Sequence, residues 1–386
     1  MRYLDAYLRK DLKNQMVLLS GPRQCGKTTY SKGLLSEVKK GEYLTWDQVK
    51  DRKKIVQQSW SEDLLLLVLD EIHKKAAWKN FLKGVFDTKP KSMHMLVTGS
   101  ARLEFFQKSG DSMFGRFHSW RLYPFCMAED PLKLSPAQRF DRLLKQGGFP
   151  VPYLADHLDE AQRWRNQRWS LLLREDLRDL EQIKNVLALE LLAELLKNHA
   201  GGMISYSNLA EDIEVAPKTA KAWIRALEKL YLIFLLTPYV GSMKRSLSKT
   251  PKLYFVDPGD LLDLDASADG ARIENLVAIC LLKRIHFLED AFGDRLALHY
   301  VRDKLGREVD FLITKNRKPV ALIEVKKRNQ APDPSLLYYK ERLKPEACIQ
   351  LHSEAKAREE IHQGVRVISA QTFLSQPLDR RNFWQP

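Results

Sequence analysis

The most constraining stretch of the chain is residues 21–28, GPRQCGKT, which fits the spacing G-x-x-x-x-G-K-[ST]. An apolar run at 16–19 precedes it, and a helix-compatible stretch at 28–38 follows. Strand, tight loop and helix are therefore expected in that order. The glycines let backbone N–H groups curl around phosphate oxygens, and the helix N-terminus adds its positive end. Gly21, Pro22, Arg23, Gln24, Cys25, Gly26, Lys27, Thr28 and Thr29 are the candidate contacts to a nucleotide. Lys27 is placed to reach the β- and γ-phosphates, and the Thr28 hydroxyl to hold Mg²⁺. The bland alternative is a Gly-rich turn, and the surrounding strand and helix signals weigh against it.

A second element fits the same chemistry. The run at 64–69, LLLLVL, ends in Asp70-Glu71. Adjacent carboxylates at the end of a buried strand are costly without a cation or a partner. Asp70 is expected to bind hydrated Mg²⁺, and Glu71 to orient and deprotonate the attacking water. A surface turn is the competing reading. The next apolar run, 93–98, leads into Thr98-Gly99-Ser100. A hydroxyl here, Ser100 or Thr98, either senses the γ-phosphate or caps the following helix. Arg102 and Arg116 are candidates to stabilise transition-state charge, with Arg116 preferred. Such an arginine often comes from a neighbouring subunit, which implies a homo-oligomer, a ring among its forms.

At 386 residues the chain has room for two or three domains. Strand signals at 16–19, 42–46, 64–69, 93–98 and 120–125 alternate with helices, the pattern of a parallel α/β domain. Helices at 160–183 and 186–199 dominate the middle. Strand signals return at 252–256, 297–302, 309–314 and 319–326. The expected class is α/β throughout: a phosphate-binding domain at 1–125, a helical connector at 126–200, a winged-helix module at 201–250 and a second α/β domain at 251–386.

Charge adds a partner class. Lys and Arg number 63 against 49 Asp and Glu, a net charge of +14. Residues 1–125 hold 23 basic and 13 acidic side chains, 126–240 hold 15 and 16, and 241–386 hold 25 and 20. The excess lies in the two α/β units and favours an anionic partner, nucleic acid first. With charged residues at 29% and hydrophobic residues at 44%, disordered and fibrous classes are excluded. The four cysteines are scattered, with no metal-type spacing, as in a reducing compartment. No signal-peptide core opens the chain, and no apolar run approaches a membrane span, so a cytoplasmic, soluble protein is expected.

Within 203–240, Ser207 is expected to cap a short helix and Pro217 to open a second. On that second helix Ala220, Trp223, Ile224, Leu227 and Leu230 share one face. Lys218, Lys221, Arg225 and Lys229 share another, as phosphate contacts from a recognition helix require. The alternative is a solvated face on a protein-binding module, which the neighbouring Glu211, Asp212 and Glu214 favour. No Asn or Gln accompanies the stripe, so any DNA binding should be mostly sequence-independent.

Residues 307–327 read REVDFLITKNRKPVALIEVKK. A hairpin here brings Asp310 towards Glu324 and sets Lys326 on the same strand face as Glu324. Two carboxylates for a divalent cation and a lysine for water is the layout of metal-dependent phosphodiesterases, and Glu274 upstream could complete it. Polar strand ends with no catalytic part are the alternative.

Taken together, GPRQCGKTT, LVLDEIHK, LVTGSARL, FGRFHSWRLYPF, GGFP, KLYFVDPGDL, REVDF and ALIEVKK resemble a known family in order and content. It is that of bacterial and archaeal AAA-type ATPases whose uncharacterised C-terminal half comprises a winged helix and a restriction-endonuclease-like core. The resemblance implies ATP hydrolysis at Lys27, Thr28, Asp70 and Glu71, and a nuclease-type fold carrying Glu274, Asp310, Glu324 and Lys326. Cys25 stands where that family more often has an aliphatic residue, and His73 where Gln is usual. Three functions follow as expectations: an ATP-driven DNA-binding motor or switch in genome maintenance or defence, an ATP-regulated metal-dependent DNA nuclease, or a nucleotide-gated switch for a protein partner.

Overall fold

The computed structural model describes residues 2–99, 113, 115–173, 185–240, 250–355 and 357–385. These form two compact units, Met1–Pro124 and Phe125–Pro386.

In the first unit α1 (Asp5–Leu12), β1 (Met16–Ser20), α2 (Lys27–Ser36), β2 (Gly41–Thr45), α3 (Val49–Gln57), β3 (Leu66–Asp70), α4 (Trp78–Thr88), β4 (His94–Thr98) and β5 (Phe117–Arg121) alternate along the chain. The strands form a five-stranded parallel sheet in the order β2-β3-β4-β1-β5. Every residue of β1 and β3 is buried, as the apolar runs require of strands covered on both faces. Met16, Leu18, Leu67, Leu69 and Val97 anchor one side of the core. The fifth strand was expected at 120–125 and instead occupies Phe117–Arg121. Leu122 N–H still bonds Ser20 O at 2.8 Å, but Pro124 has no N–H to continue the ladder.

The second unit opens with α5 (Pro136–Gln146), α6 (Pro150–Leu154), α7 (Leu158–Leu171) and α8 (Val186–Lys197). The helix expected at 160–183 is seen as α7, and its remainder from 174 lies outside the described residues. Then come α9 (Tyr206–Asp212), α10 (Pro217–Lys229), and β6 (Ile233–Leu236) antiparallel to β7 (Lys252–Phe255). The cap of α9 is Ser205, whose hydroxyl accepts from Asn208 N, rather than Ser207. The long α11 (Asp269–Phe292) leads into β8 (Leu296–Arg302), β9 (Glu308–Lys315) and β10 (Lys318–Lys326). After α12 (Pro334–Leu343) follow β11 (Ala347–His352), β12 (Glu360–His362), β13 (Val365–Ser369) and α13 (Ala370–Leu374). The sheet order is β12-β13-β11-β10-β9-β8, with mixed parallel and antiparallel pairs. Fold class is α/β in both units. Among the described residues, no helix is long and apolar enough to cross a membrane.

Two of the quoted segments interlock. Gly148 N donates to Asp257 Oδ1 at 2.7 Å, joining GGFP to VDPGDL. Gly147 has φ +76°, and a Cβ there would meet both Asp257 carboxylate oxygens at 2.4 Å. Gly147→Ala should therefore lower stability by about 1–3 kcal/mol from backbone strain, and more if Asp257 is displaced. Urea unfolding followed by circular dichroism measures this; an unchanged midpoint would refute the interlock.

Candidate functional site

The phosphate loop leaves the end of β1 and enters α2 through two left-handed residues, Gln24 (φ 63°) and Gly26 (φ 98°). Gly21 is indispensable for a different reason: a Cβ there would lie 2.2 Å from Leu122 O. Lys27 is only 7% exposed, and its Nζ donates to Gly21 O at 2.9 Å and Pro22 O at 2.7 Å. The third donor of this ammonium has only a long contact to Cys25 Sγ at 3.9 Å, a weak acceptor that a phosphate oxygen would outcompete. Cys25 is fully buried beneath the loop, while Arg23, Gln24, Thr28 and Thr29 are exposed around it.

Beside the loop stands Asp70, 8% exposed at the end of β3. Its Oδ2 accepts from Thr28 Oγ1 at 3.4 Å and from the Tyr43 hydroxyl, and its Oδ1 from Thr98 Oγ1. The strand register puts Asp70 level with Thr45 and Thr98 on its two neighbours. Tyr43 had no sequence signal: it reads as an ordinary residue of an amphipathic strand. Its hydroxyl pKa is raised, by burial and by the Asp70 bond. Thr98 is thus engaged with Asp70; Ser100 and Arg102 lie outside the described residues.

Glu71 follows with φ 56°, a left-handed conformation that turns the chain out of β3. Burial raises its carboxyl pKa; Lys74 Nζ, 3.5 Å from Oε2, works the other way, and Asp70 adds to the rise. His73 Nε2 is 3.6 Å from the same oxygen. A half-buried carboxylate whose pKa is raised is a stronger base than an ordinary glutamate, which suits it to accept a proton from water. Arg116 is placed elsewhere. It precedes β5 at the Met16 end of β1, away from the loop that follows Ser20, and its guanidinium pairs with Asp87 at 2.7 and 3.1 Å.

In the second unit Lys218, Lys221 and Arg225 are exposed on α10 and Lys229 is half-buried at its end. Ala220, Trp223, Ile224 and Leu227 pack inward. Farther along, β9 and β10 do bring Asp310 and Glu324 together: Asp310 N donates to Glu324 Oε2 at 3.3 Å. Lys326 Nζ donates to Glu324 Oε1 at 2.7 Å and also pairs with Asp333. Glu274 on α11 joins through Lys252, which sequence reasoning missed. Lys252 Nζ lies 2.6 Å from Glu308 and 3.3 Å from both Glu274 and Asp310. Burial, then Asp310, raises the Glu274 pKa to about 7 and the Glu324 pKa to about 8. Among the described residues, no group of three or more His, Cys, Asp or Glu is arranged to hold a metal ion.

Residues 13–130 match an AAA domain. Residues 137–267 and 269–373 match two domains of unknown function, DUF8612 and DUF4143. The chain is 24% identical over 332 residues to the uncharacterized protein Rv2008c of Mycobacterium tuberculosis, covering 81% of this chain and 74% of that one. It is 25% identical over 307 residues to the uncharacterized protein MJ1637 of Methanocaldococcus jannaschii, covering 66% and 63%. A looser structural likeness links it to the Walker-type ATPase PABY2304 of Pyrococcus abyssi. That likeness has 13% identity and a TM-score of 0.42, and covers 66% of this chain and 93% of that one. The phosphate loop, the Asp70–Glu71 pair and the AAA match make the first unit a P-loop ATPase domain.

Glu71→Gln should keep nucleotide binding and lose roughly 10²–10⁴-fold in hydrolysis, measured by phosphate release against fluorescent-nucleotide binding. The raised Glu71 pKa has a sign: the base must be unprotonated, so activity falls on acidification. The acid limb of the wild-type pH–rate profile should lie above the ~4.3 of an ordinary glutamate. A limb at or below that value would remove Glu71 as the base.

Proposed function

We propose that this chain is an ATP-driven DNA-binding motor or switch acting on duplex or branched DNA, in genome maintenance or defence. The observation that carries the reading is the basic stripe of α10. Lys218, Lys221 and Arg225 point to solvent from a helix whose other face is locked in a core, and Lys221 Nζ stands 5.5 Å from the Tyr206 ring. Two helices followed by the antiparallel pair β6–β7 have the order of a winged helix. Cations held at three- and four-residue spacings on one face suit a row of phosphates.

The nucleotide is ATP. Thr28 and Asp70 would hold Mg²⁺: a hydroxyl and a carboxylate 3.4 Å apart are hard oxygen donors of the kind that ion takes alongside water and phosphate. When bound, the ion neutralises charge on the β- and γ-oxygens. Lys27 grips the phosphates and Glu71 takes the proton of the attacking water. Arg116, at the far end of β1, would serve a neighbouring copy, so the working form is a homo-oligomer, with a ring as one arrangement.

ATP hydrolysis by wild type with single-stranded, duplex and four-way DNA tests the coupling. Stimulation by one form, lost in Glu71→Gln, is the expected outcome; indifference to every nucleic acid overturns it and favours a partner-gated switch. Lys218→Glu with Arg225→Glu should weaken binding, and the slope of log K against log salt, about −0.9 per phosphate contact, should become shallower by roughly two.

A further inference from the structure

The cluster around Lys252 has a donor for each carboxylate it contains. Glu308 takes Lys252 on Oε1 and Arg302 on Oε2. Asp310 takes Lys252 on Oδ1 and the Val325 N–H on Oδ2. Glu274 Oε1 receives both Lys252 and the Tyr254 hydroxyl, the latter at 2.7 Å. Glu324 receives Lys326 on Oε1 and the Asp310 N–H on Oε2. Lys252 itself is 3% exposed and comes from β7, outside the sheet that bears Asp310 and Glu324.

A divalent ion such as Mg²⁺ needs oxygens converging at about 2.0–2.1 Å in near-octahedral array, with several waters kept. Here the point on which Glu274, Glu308 and Asp310 converge is filled by an ammonium. A second cation beside it would be repelled at short range in a medium that screens poorly. The residues present therefore do not fit the metal that a nuclease-type core implies.

We infer that Lys252 is the built-in cation of this carboxylate cluster, so that the C-terminal core works without a bound metal and does not cut nucleic acid. The cluster instead ties β7 to α11 and β9: one side chain joins three carboxylates from the helix and the sheet. The chemistry is that of a buried ion-pair hub, in which removing the cation strands several charges at once. This inference is independent of the DNA-binding reading and goes beyond it.

Manganese titration of the full-length chain, following free Mn²⁺ by electron paramagnetic resonance, tests it. Wild type, Asp310→Asn and Glu274→Gln should take up the same Mn²⁺. Lys252→Ala should gain one Mn²⁺ per chain, and the double variant with Asp310→Asn should lose it again. Circular dichroism establishes that each variant is folded. Wild type binding one Mn²⁺ more than Asp310→Asn, or folded Lys252→Ala gaining none, would overturn the proposal. Should Lys252→Ala not fold, the wild-type comparison decides alone. As a second readout, Mn²⁺-dependent DNA cleavage by wild type that Glu324→Ala abolishes would also overturn it.

Discussion

The carboxylate of Asp70 is the point on which the nucleotide half of the molecule closes. It accepts from hydroxyls on three different elements: Thr28 of α2, Tyr43 of β2 and Thr98 of β4. A parallel sheet makes this convergence possible, because the C-terminal ends of neighbouring strands lie level. Thr45, Asp70 and Thr98 fall in one register across β2, β3 and β4. A buried carboxylate is costly unless it is hydrogen-bonded, and these three donors meet that cost without bringing in a positive charge. The negative charge of Asp70 thus stays available to a cation, while its orientation is fixed from three sides. The phosphate loop needs the same sheet, since β1 sits beside β4 and delivers Gly21 next to the same edge.

How much of this was legible in the sequence depends on the range of each signal. The loop and the Asp70–Glu71 pair are local patterns, with glycines at fixed offsets and charge ending an apolar run, so their places could be read directly. Tyr43 could not, because its role depends on β2 lying beside β3, a pairing made across more than twenty residues of chain. Lys252 was hidden for a related reason. In KLYF it opens a short apolar strand, where a lysine ordinarily marks the solvent end. Only the fold shows that Glu274, Glu308 and Asp310 surround it. The strands β11 to β13 gave weak signals too: β12 is exposed at all three residues, and β11 contains buried Gln350 and His352. Gln350 is accommodated because its side chain bonds Asp333 N and the carbonyls of Gln330 and Ala331.

Lys27 and Lys252 are both nearly buried, at 7% and 3% exposure, and the chain treats them in opposite ways. Lys27 gives two hydrogen bonds to carbonyl oxygens, which are dipoles and leave its formal charge uncancelled. A site built like that is short of negative charge and suits an anion at a helix N-terminus. Lys252 is surrounded by three carboxylates whose combined pull outweighs the penalty of burial and raises its pKa, so its charge is committed internally. The partner of a buried lysine, carbonyl in one unit and carboxylate in the other, thus separates a place made to receive a ligand from one made to hold the fold together. Glu71 belongs with the first. It sits in a left-handed backbone conformation that costs of order 1 kcal/mol or more for a non-glycine residue. That cost is sustained where it turns a carboxylate out of a buried strand beside Asp70, next to the loop whose lysine keeps its charge for a phosphate.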